Sequence, residues 1–590
     1  MSPLDWLDHR TGYRGFLRDA LYEAVPGGAR WRYVWGSTLT FAIVVQFITG
    51  IILWAHYSPS AITAWESVYY IQEEMNGGWF LRGLHHFTAQ LMVPLLVLHL
   101  LQVLIDGAYK APREINYWFG LGLLLLTLGL SLTGYLLPWD QKGYWATKVA
   151  TNLLGGLPIV GEWLQRSVVG GDQFGHLTLT RFFALHAGFL PAVLILFIAV
   201  HVYLFRRHGL TPKLPLKRRD AHFWPDQVLC DSVACLAVIA AAAGLTVWFR
   251  GSELGAPANP GELYPGRPDW YFMFLFQFLK YFPGGAEVWG AYIIPGAVFL
   301  FLALMPFLGN WRVGHAVNLA FVFAGLVAFG VLTSLAYIDD SRNPGFKAGV
   351  HRSHLDAVRA KELARKAGGI PPSGALAMLR DDPQTQGPRI FAAHCASCHP
   401  YGGHDGMGGP LAEKPSAADL EGFGSREWLR GFLDPAQIET TKFWGETAFV
   451  KPPEGKNKSK MVKAVTEDIA EYSAEEKAQL EKTIIALSAE ARLPAQRERD
   501  AADVALIEAG AQHFEELGCA DCHKFRGKGS GSGPDLTGWA SRQWLARFLH
   551  NPAHEDFYGK RNDRMPPLGA RGELSARELE MVAMWLRGES

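Results

Sequence analysis

The chain has 590 residues, with 56 basic and 56 acidic side chains and therefore no net charge at neutral pH, which excludes a protein that holds nucleic acid by bulk charge. That length exceeds what one hydrophobic core organises, so several domains are expected. The first 30 residues are polar and amphipathic, with Arg10, Arg14, Arg18 and Arg30; they lack the form of a cleavable leader, so the first spanning helix is expected to direct insertion.

Up to about Asp339 long apolar runs dominate. Seven of them reach the roughly 20 residues that cross a bilayer as a helix, at about 33–56, 80–105, 116–137, 182–205, 228–249, 288–308 and 313–338. The arginine-bearing amino terminus, the turn with Lys110 and Arg113, the loop with Arg206, Arg207, Lys213, Lys217, Arg218 and Arg219, and the turn with Arg312 fall on one side. The segment 57–79 has no Lys or Arg. The basic side reads as cytoplasmic, and an odd number of crossings places everything after about residue 339 outside.

The second and fourth runs each carry two histidines, His85 with His99 and His186 with His201, 14 and 15 residues apart. Such spacings advance a helix by about four turns, so each pair shares a face at levels roughly 21 to 22 Å apart. An imidazole in hydrocarbon needs a partner, and iron supplies one; two haems, one above the other, are expected between these helices. His86 is read as facing away or towards a haem propionate. Gly36 and Gly50 in the first run, and Gly120 and Gly134 in the third, repeat the 14-residue period, marking places where a macrocycle can approach the backbone.

Residues 340–385, with a Gly-Gly-Ile-Pro-Pro break at 368–372, read as a loosely packed linker. A duplication follows. Phe391-Ala-Ala-His-Cys395-Ala-Ser-Cys398-His399 is echoed by Leu517-Gly-Cys519-Ala-Asp-Cys522-His523. Gly-Pro follows each, at 409–410 and 533–534, and then Ser-Arg-x-Trp runs from Ser425 and Ser541. Each Cys-x-x-Cys-His reads as covalent c-type haem attachment, with Cys395, Cys398, Cys519 and Cys522 forming thioethers and His399 and His523 ligating iron. Cys230 and Cys235 are expected as free thiols.

The runs Leu81-Arg-Gly-Leu-His85, Pro112-Arg-Glu114, Gly134-Tyr-Leu-Leu-Pro-Trp-Asp-Gln141, Thr178-Leu-Thr-Arg181 and Pro268-Asp-Trp-Tyr271 together resemble the cytochrome b subunit of quinol:cytochrome c oxidoreductases. They are most similar to the photosynthetic version, whose four-helix and three-helix chains are joined here. The resemblance implies an all-α chain: a cytoplasmic amphipathic segment (1–32), a four-helix dihaem b bundle (33–220) and three further membrane helices (221–339). After the linker, two small α-helical cytochrome c domains are expected at 386–492 and 500–590. It assigns His85 and His186 to a low-potential haem b near the outer face, His99 and His201 to a high-potential haem near the cytoplasm, and Arg82 and Arg113 to haem contacts alongside the four glycines. Asp269 is the expected proton acceptor for quinol, where the family usually has glutamate, with Tyr271 and Tyr144 as further candidates. Arg206, Asp226 and His208 are assigned to an inner quinone site. Val34 stands where photosynthetic relatives tether an extra haem through cysteine, so none is expected. The repeats are similar to class I cytochromes c, which implies Met461 and Met565 as sixth ligands.

The implied function is quinol oxidation at the outer face of a bacterial inner membrane. Electrons would pass through two b haems to an inner quinone and through two c haems to a cytochrome c or terminal oxidase, coupled to proton translocation. A Rieske iron–sulfur protein, further subunits and a homodimeric complex are the implied partners. The alternatives are a haem-bearing membrane anchor for another dehydrogenase, or a non-catalytic electron wire.

Overall fold

The computed structural model describes residues 2–211, 219–412, 414–531, 533–559 and 565–589; Lys213, Lys217 and Arg218 of the basic loop lie outside these. The chain divides into two compact units, Met1–Ala377 and Met378–Ser590.

Among the described residues of the first unit seven helices are long and apolar enough to cross a membrane: α1 (Trp31–Trp54), α2 (Gly78–Ile105), α3 (Glu114–Tyr135), α4 (His176–His208), α5 (Phe223–Trp248), α6 (Gly284–Leu308) and α7 (Gly314–Arg342). Each lies within a few residues of its expected bounds, because about 30 Å of hydrocarbon sets the length of the apolar run. α1 packs on α2, α3 on α4, and α5 closes against α1 and α2. Two short helices, Pro3–Thr11 and Tyr13–Leu21, precede them. A two-residue ladder, Ala24–Val25 against Ala221–His222, ties the amino-terminal segment to the start of α5.

The stretch read as a loose linker is ordered in its first part. α8 (Pro344–Ala364) turns Ala357, Ala360 and Ala364 inward, all buried. Beside this face Glu73 accepts from Arg365 at 2.8 Å and lies 3.8 Å from Lys361. Alanines at a spacing of three and four residues make a packing face without large apolar side chains, so the helix does not stand out by hydropathy.

The second unit holds both repeats, and their helices pair across the duplication. α9 (Pro383–His394) leads into the first Cys-x-x-Cys-His and α10 (Arg426–Phe432) carries its Trp428. α11 (Ala474–Glu490) ends the first repeat, and α12 (Val504–Glu516) leads into the second motif. α13 (Arg542–His550) carries Trp544, and α14 (Ala576–Leu586) ends the chain. α9 packs against α14, and α11 against α12. One core gathers Ile484, Phe514, Phe525 and Trp544, whereas another gathers Phe391, Leu549, Leu579 and Trp585. The expected boundary between 492 and 500 therefore does not separate two independent cores: each terminal helix buries its apolar face on the leading helix of the other repeat.

Replacing Ala360, fully buried in α8, by leucine is expected to cost about 1–3 kcal/mol through overpacking and to free the helix. Tryptic cleavage at Arg359, Lys361 and Arg365 in the detergent-solubilised protein should then speed up; an unchanged digestion rate would contradict the docking.

Candidate haem and quinol sites

α2 and α4 hold the four membrane histidines in two facing pairs. His85 and His186 have ring centroids 6.4 Å apart, as do His99 and His201. Two imidazoles bound on opposite sides of one metal ion, with metal–nitrogen distances of about 2 Å, put their centroids roughly 6 Å apart. The separation therefore fits a metal between the rings and is too long for ring–ring hydrogen bonding. The two levels agree although the spacings differ by one residue: α4 contains a five-residue π turn, Leu185–Phe189, around His186, and such a turn absorbs an extra residue.

The outward-facing nitrogens are mostly fixed from behind. His85 Nδ1 meets Thr49 Oγ1 at 2.8 Å, His186 Nδ1 meets the Leu130 carbonyl at 3.0 Å, and His201 Nδ1 meets the Asn116 carbonyl at 3.0 Å. Partners of this kind orient a ligating imidazole and fix its tautomer. Among the described residues His99 Nδ1, Arg113 Nε and Asn116 Oδ1 are buried without a hydrogen-bond partner. The four periodic glycines each lie against one of these rings. A Cβ at Gly36 would stand 3.5 Å from His99 Cε1, at Gly50 3.3 Å from His85, at Gly120 3.4 Å from His201, and at Gly134 only 2.6 Å from His186. This chemistry fits two bis-imidazole haems.

The arginines assigned to haem contacts direct several of their donors to backbone carbonyls. Arg82 donates to Gln72 Oε1 at 2.9 Å and to the carbonyls of Ser252 and Glu253, and Arg113 donates to the His208 carbonyl at 2.8 Å. His86, about 100° round the helix from His85, feels the charges of Asp269, Arg82 and Lys142. This places it on the Asp269 side of the helix and accords with the first of the two readings given from sequence, that it faces away from the histidine pair.

Asp269 Oδ2 accepts from Gln90 Nε2 at 3.1 Å and from the Tyr271 hydroxyl at 3.2 Å, and Lys142 Nζ lies 3.5 Å from Oδ1. Trp270 Nε1 donates to Gln90 Oε1 at 2.8 Å, so Gln90 locks the loop to α2. Sequence reading passed over Gln90 and Lys142; a glutamine inside an apolar helix, five residues after His85, was the available signal. Tyr144 packs instead among Trp139, Trp145 and Phe174. Its neighbour Asp140 caps the following helix through the backbone N–H of Gly143 at 2.8 Å and takes that of Gly255 at 3.1 Å, while burial raises its carboxyl above the ordinary value.

The residues assigned to an inner quinone site each have partners within the protein. Arg206 is paired with Glu23 at 2.8 Å, exposed Asp226 accepts from the His222 backbone at 3.4 Å, and His208 ends α4. Asp231 is a buried carboxylate near this end, bonded by Ser37 Oγ at 2.8 Å and Gln227 Nε2 at 2.9 Å. It lies five residues beyond Asp226, on the buried face of α5. Val34 is buried at the start of α1.

In the second unit His399 Nδ1 meets the Ala418 carbonyl at 2.8 Å and His523 Nδ1 the Pro534 carbonyl at 2.9 Å. Trp428 and Trp544 donate to the next carbonyls, Asp419 and Asp535, at 2.9 and 3.0 Å. The structural counterpart of Pro534 is thus Ala418, and the Gly409–Pro410 match read from sequence belongs to a loop inserted in the first repeat. Burial holds both imidazoles below the ordinary histidine range, in the neutral ligating form. It pushes the Cys395 thiol up to about 12 and the Cys519 thiol up to about 11. Met461 and Met565 are both partly buried at core margins. These side chains fit covalent haem.

Adding a methyl group at the four glycines ranks them: Gly134→Ala should lose most of the b-type haem at the outer level, whereas Gly36→Ala should retain the inner haem. Haem b content of the purified variants, read from the pyridine haemochrome spectrum, checks the order; equal retention would contradict the contact geometry.

Among known proteins, residues 90–259 match the family described as cytochrome b(N-terminal)/b6/petB, and residues 507–589 match cytochrome c. The chain is 33% identical over 310 residues to cytochrome b of Rhodobacter capsulatus, covering 50% of this chain and 70% of that one. It is 38% identical over 210 residues to cytochrome b6 of Synechococcus sp. (strain JA-3-3Ab), covering 36% and 98%. It is 39% identical over 218 residues to the menaquinol:cytochrome c reductase cytochrome b subunit of Bacillus subtilis (strain 168), covering 36% and 97%. A solved structure titled "Hyperthermophilic respiratory Complex III" superposes with a TM-score of 0.51 at 26% identity, over 60% of this chain and 95% of that one. With its histidine-bearing helical bundle and its seven spans, the chain belongs to the cytochrome b/b6 family, extended by a carboxy-terminal cytochrome c region.

Proposed function

We propose that the chain is the quinol-oxidising, haem-bearing subunit of a proton-translocating quinol:cytochrome c oxidoreductase in a bacterial cytoplasmic membrane, with both c-type sites on the outer side. The observation that carries this reading is the attachment of Asp269 to α2 through Gln90. Five residues separate Gln90 from His85, about 7.5 Å along the helix, so the outer proton acceptor and the outer histidine pair are mounted on one rigid element.

Oxidation of a quinol to a quinone releases two protons and two electrons. Asp269 takes a hydroxyl proton on its carboxylate; Gln90 and the Tyr271 hydroxyl hold Oδ2 in place, leaving Oδ1 towards Lys142 and the outer side. Bound haem supplies one-electron acceptance and release, two haems held by the histidine pairs and two by the Cys-x-x-Cys-His motifs. The inner pair serves a second quinone site near the cytoplasm, where Asp231, buried beside Ser37 and Gln227, is better placed than Asp226 to deliver a proton. The first electron of each quinol leaves through a Rieske protein on a separate chain, since no paired Cys-x-His set occurs in this sequence. Tethering the c-type sites to the same chain raises their local concentration at the outer face.

Asp269→Asn, which keeps the shape and removes the base, should lower quinol:cytochrome c turnover of the purified complex by about 10²- to 10⁴-fold with haem content intact. Asp269→Glu should recover most of the rate. An Asp269→Asn complex that turns over at the wild-type rate would refute the assignment.

A further inference from the structure

The cross-pairing of helices decides which methionine can reach which c-type site, and we infer that the repeats exchange them: Met565 closes the site of Cys395, Cys398 and His399, and Met461 closes that of Cys519, Cys522 and His523. The inference rests on the reading of both motifs as haem attachment sites and goes beyond it in assigning the sixth ligands across the duplication. Sequence order alone would pair each histidine with the methionine of its own repeat.

The first motif is enclosed by the end of the chain. Trp585 of α14 lies with its ring centroid 4.4 Å from Tyr401 and 5.3 Å from Phe391, residues that flank Cys395 to His399. A Cβ at Gly387 of α9 would collide with the Trp585 side chain, so glycine is what lets the two helices cross closely there. Asp381, just before α9, pairs with Arg577 of α14 at 2.7 Å, and Gln384 Nε2 donates to the Glu589 carbonyl at 2.7 Å. Cys395 and Met565 both pack against the core built from Phe391, Leu568, Leu579 and Trp585.

The second motif shows the mirror arrangement. A Cβ at Gly510 of α12 would collide with the Lys482 carbonyl of α11. The Tyr472 hydroxyl, just before α11, donates at 3.2 Å to the carbonyl of Leu517, two residues ahead of Cys519. Cys519 and Met461 both pack against the other core, which includes Val462, Val465, Ile484 and Phe514. Each methionine precedes the terminal helix of its repeat, and that helix is committed to the leading helix of the opposite motif. At the crossing Arg587, almost fully buried, donates to the carbonyls of Ala491, Arg492 and Ala540 and clasps the end of α14 to the segment leaving α11.

The test uses the full chain in its complex with one covalent site removed. In a Cys395→Ser/Cys398→Ser chain the remaining c haem is that of Cys519 and Cys522. Met461→Ala in this background should abolish the methionine-to-iron charge-transfer band and lower the midpoint potential of that haem, because methionine ligation raises it; Met565→Ala should change neither. The reverse pattern, or loss of the band with neither substitution, overturns the exchange. An experimental structure of the unaltered complex gives the same assignment if the cysteine variant does not accumulate: Met565 sulfur on the iron of His399 supports it, and Met461 sulfur there overturns it. Absence of covalent haem from the unaltered chain would instead remove the functional reading beneath it.

Discussion

A neutral imidazole inside hydrocarbon is costly unless both of its nitrogens find partners, and this constraint organises the membrane unit. α2 and α4 face each other because four histidines do, at an equal 6.4 Å separation on two levels. α1 and α3 place a glycine against each ring, most tightly at Gly134, and Thr49, Leu130 and Asn116 stand as acceptors behind three of the four rings. Even the irregularity in α4 follows from the same demand, since the π turn at Leu185–Phe189 brings His186 level with His85 despite a spacing one residue longer.

That constraint is also what made the sequence readable. Seven spans, the histidine pairs and the glycine period are single-helix patterns, and a helix in lipid leaves few other ways to read them. The Pro268-Asp-Trp-Tyr271 loop was legible through resemblance, yet its anchors were not: Gln90 and Lys142 reach Asp269 from elements 179 and 127 residues away. At the inner end the reading took Asp226 for its membrane side, whereas helical phase buries Asp231.

In the soluble unit the repeat was plain and its assembly was not. Two copies of a motif say nothing about which copy of a terminal helix packs on which leading helix, because equivalent surfaces are interchangeable. The choice is made by particular contacts: Trp585 on Gly387, Tyr472 on the Leu517 carbonyl, and Arg587 at the chain crossing. The docked helix α8 escaped notice for another reason. Its buried face is built of alanine, which packs closely without a strong hydropathy signal.

The central claim is that one chain carries two bis-histidine haems in the membrane and two covalent haems outside it. The most direct measurement is a haem count on the purified protein, with b- and c-type haem separated by acid–acetone extraction and related to protein by amino-acid analysis. The account predicts two extractable b haems and two retained c haems per chain, with both b haems showing the low-spin bis-imidazole signature in electron paramagnetic resonance. A single extractable haem, or a b haem with a non-histidine ligand, would contradict it.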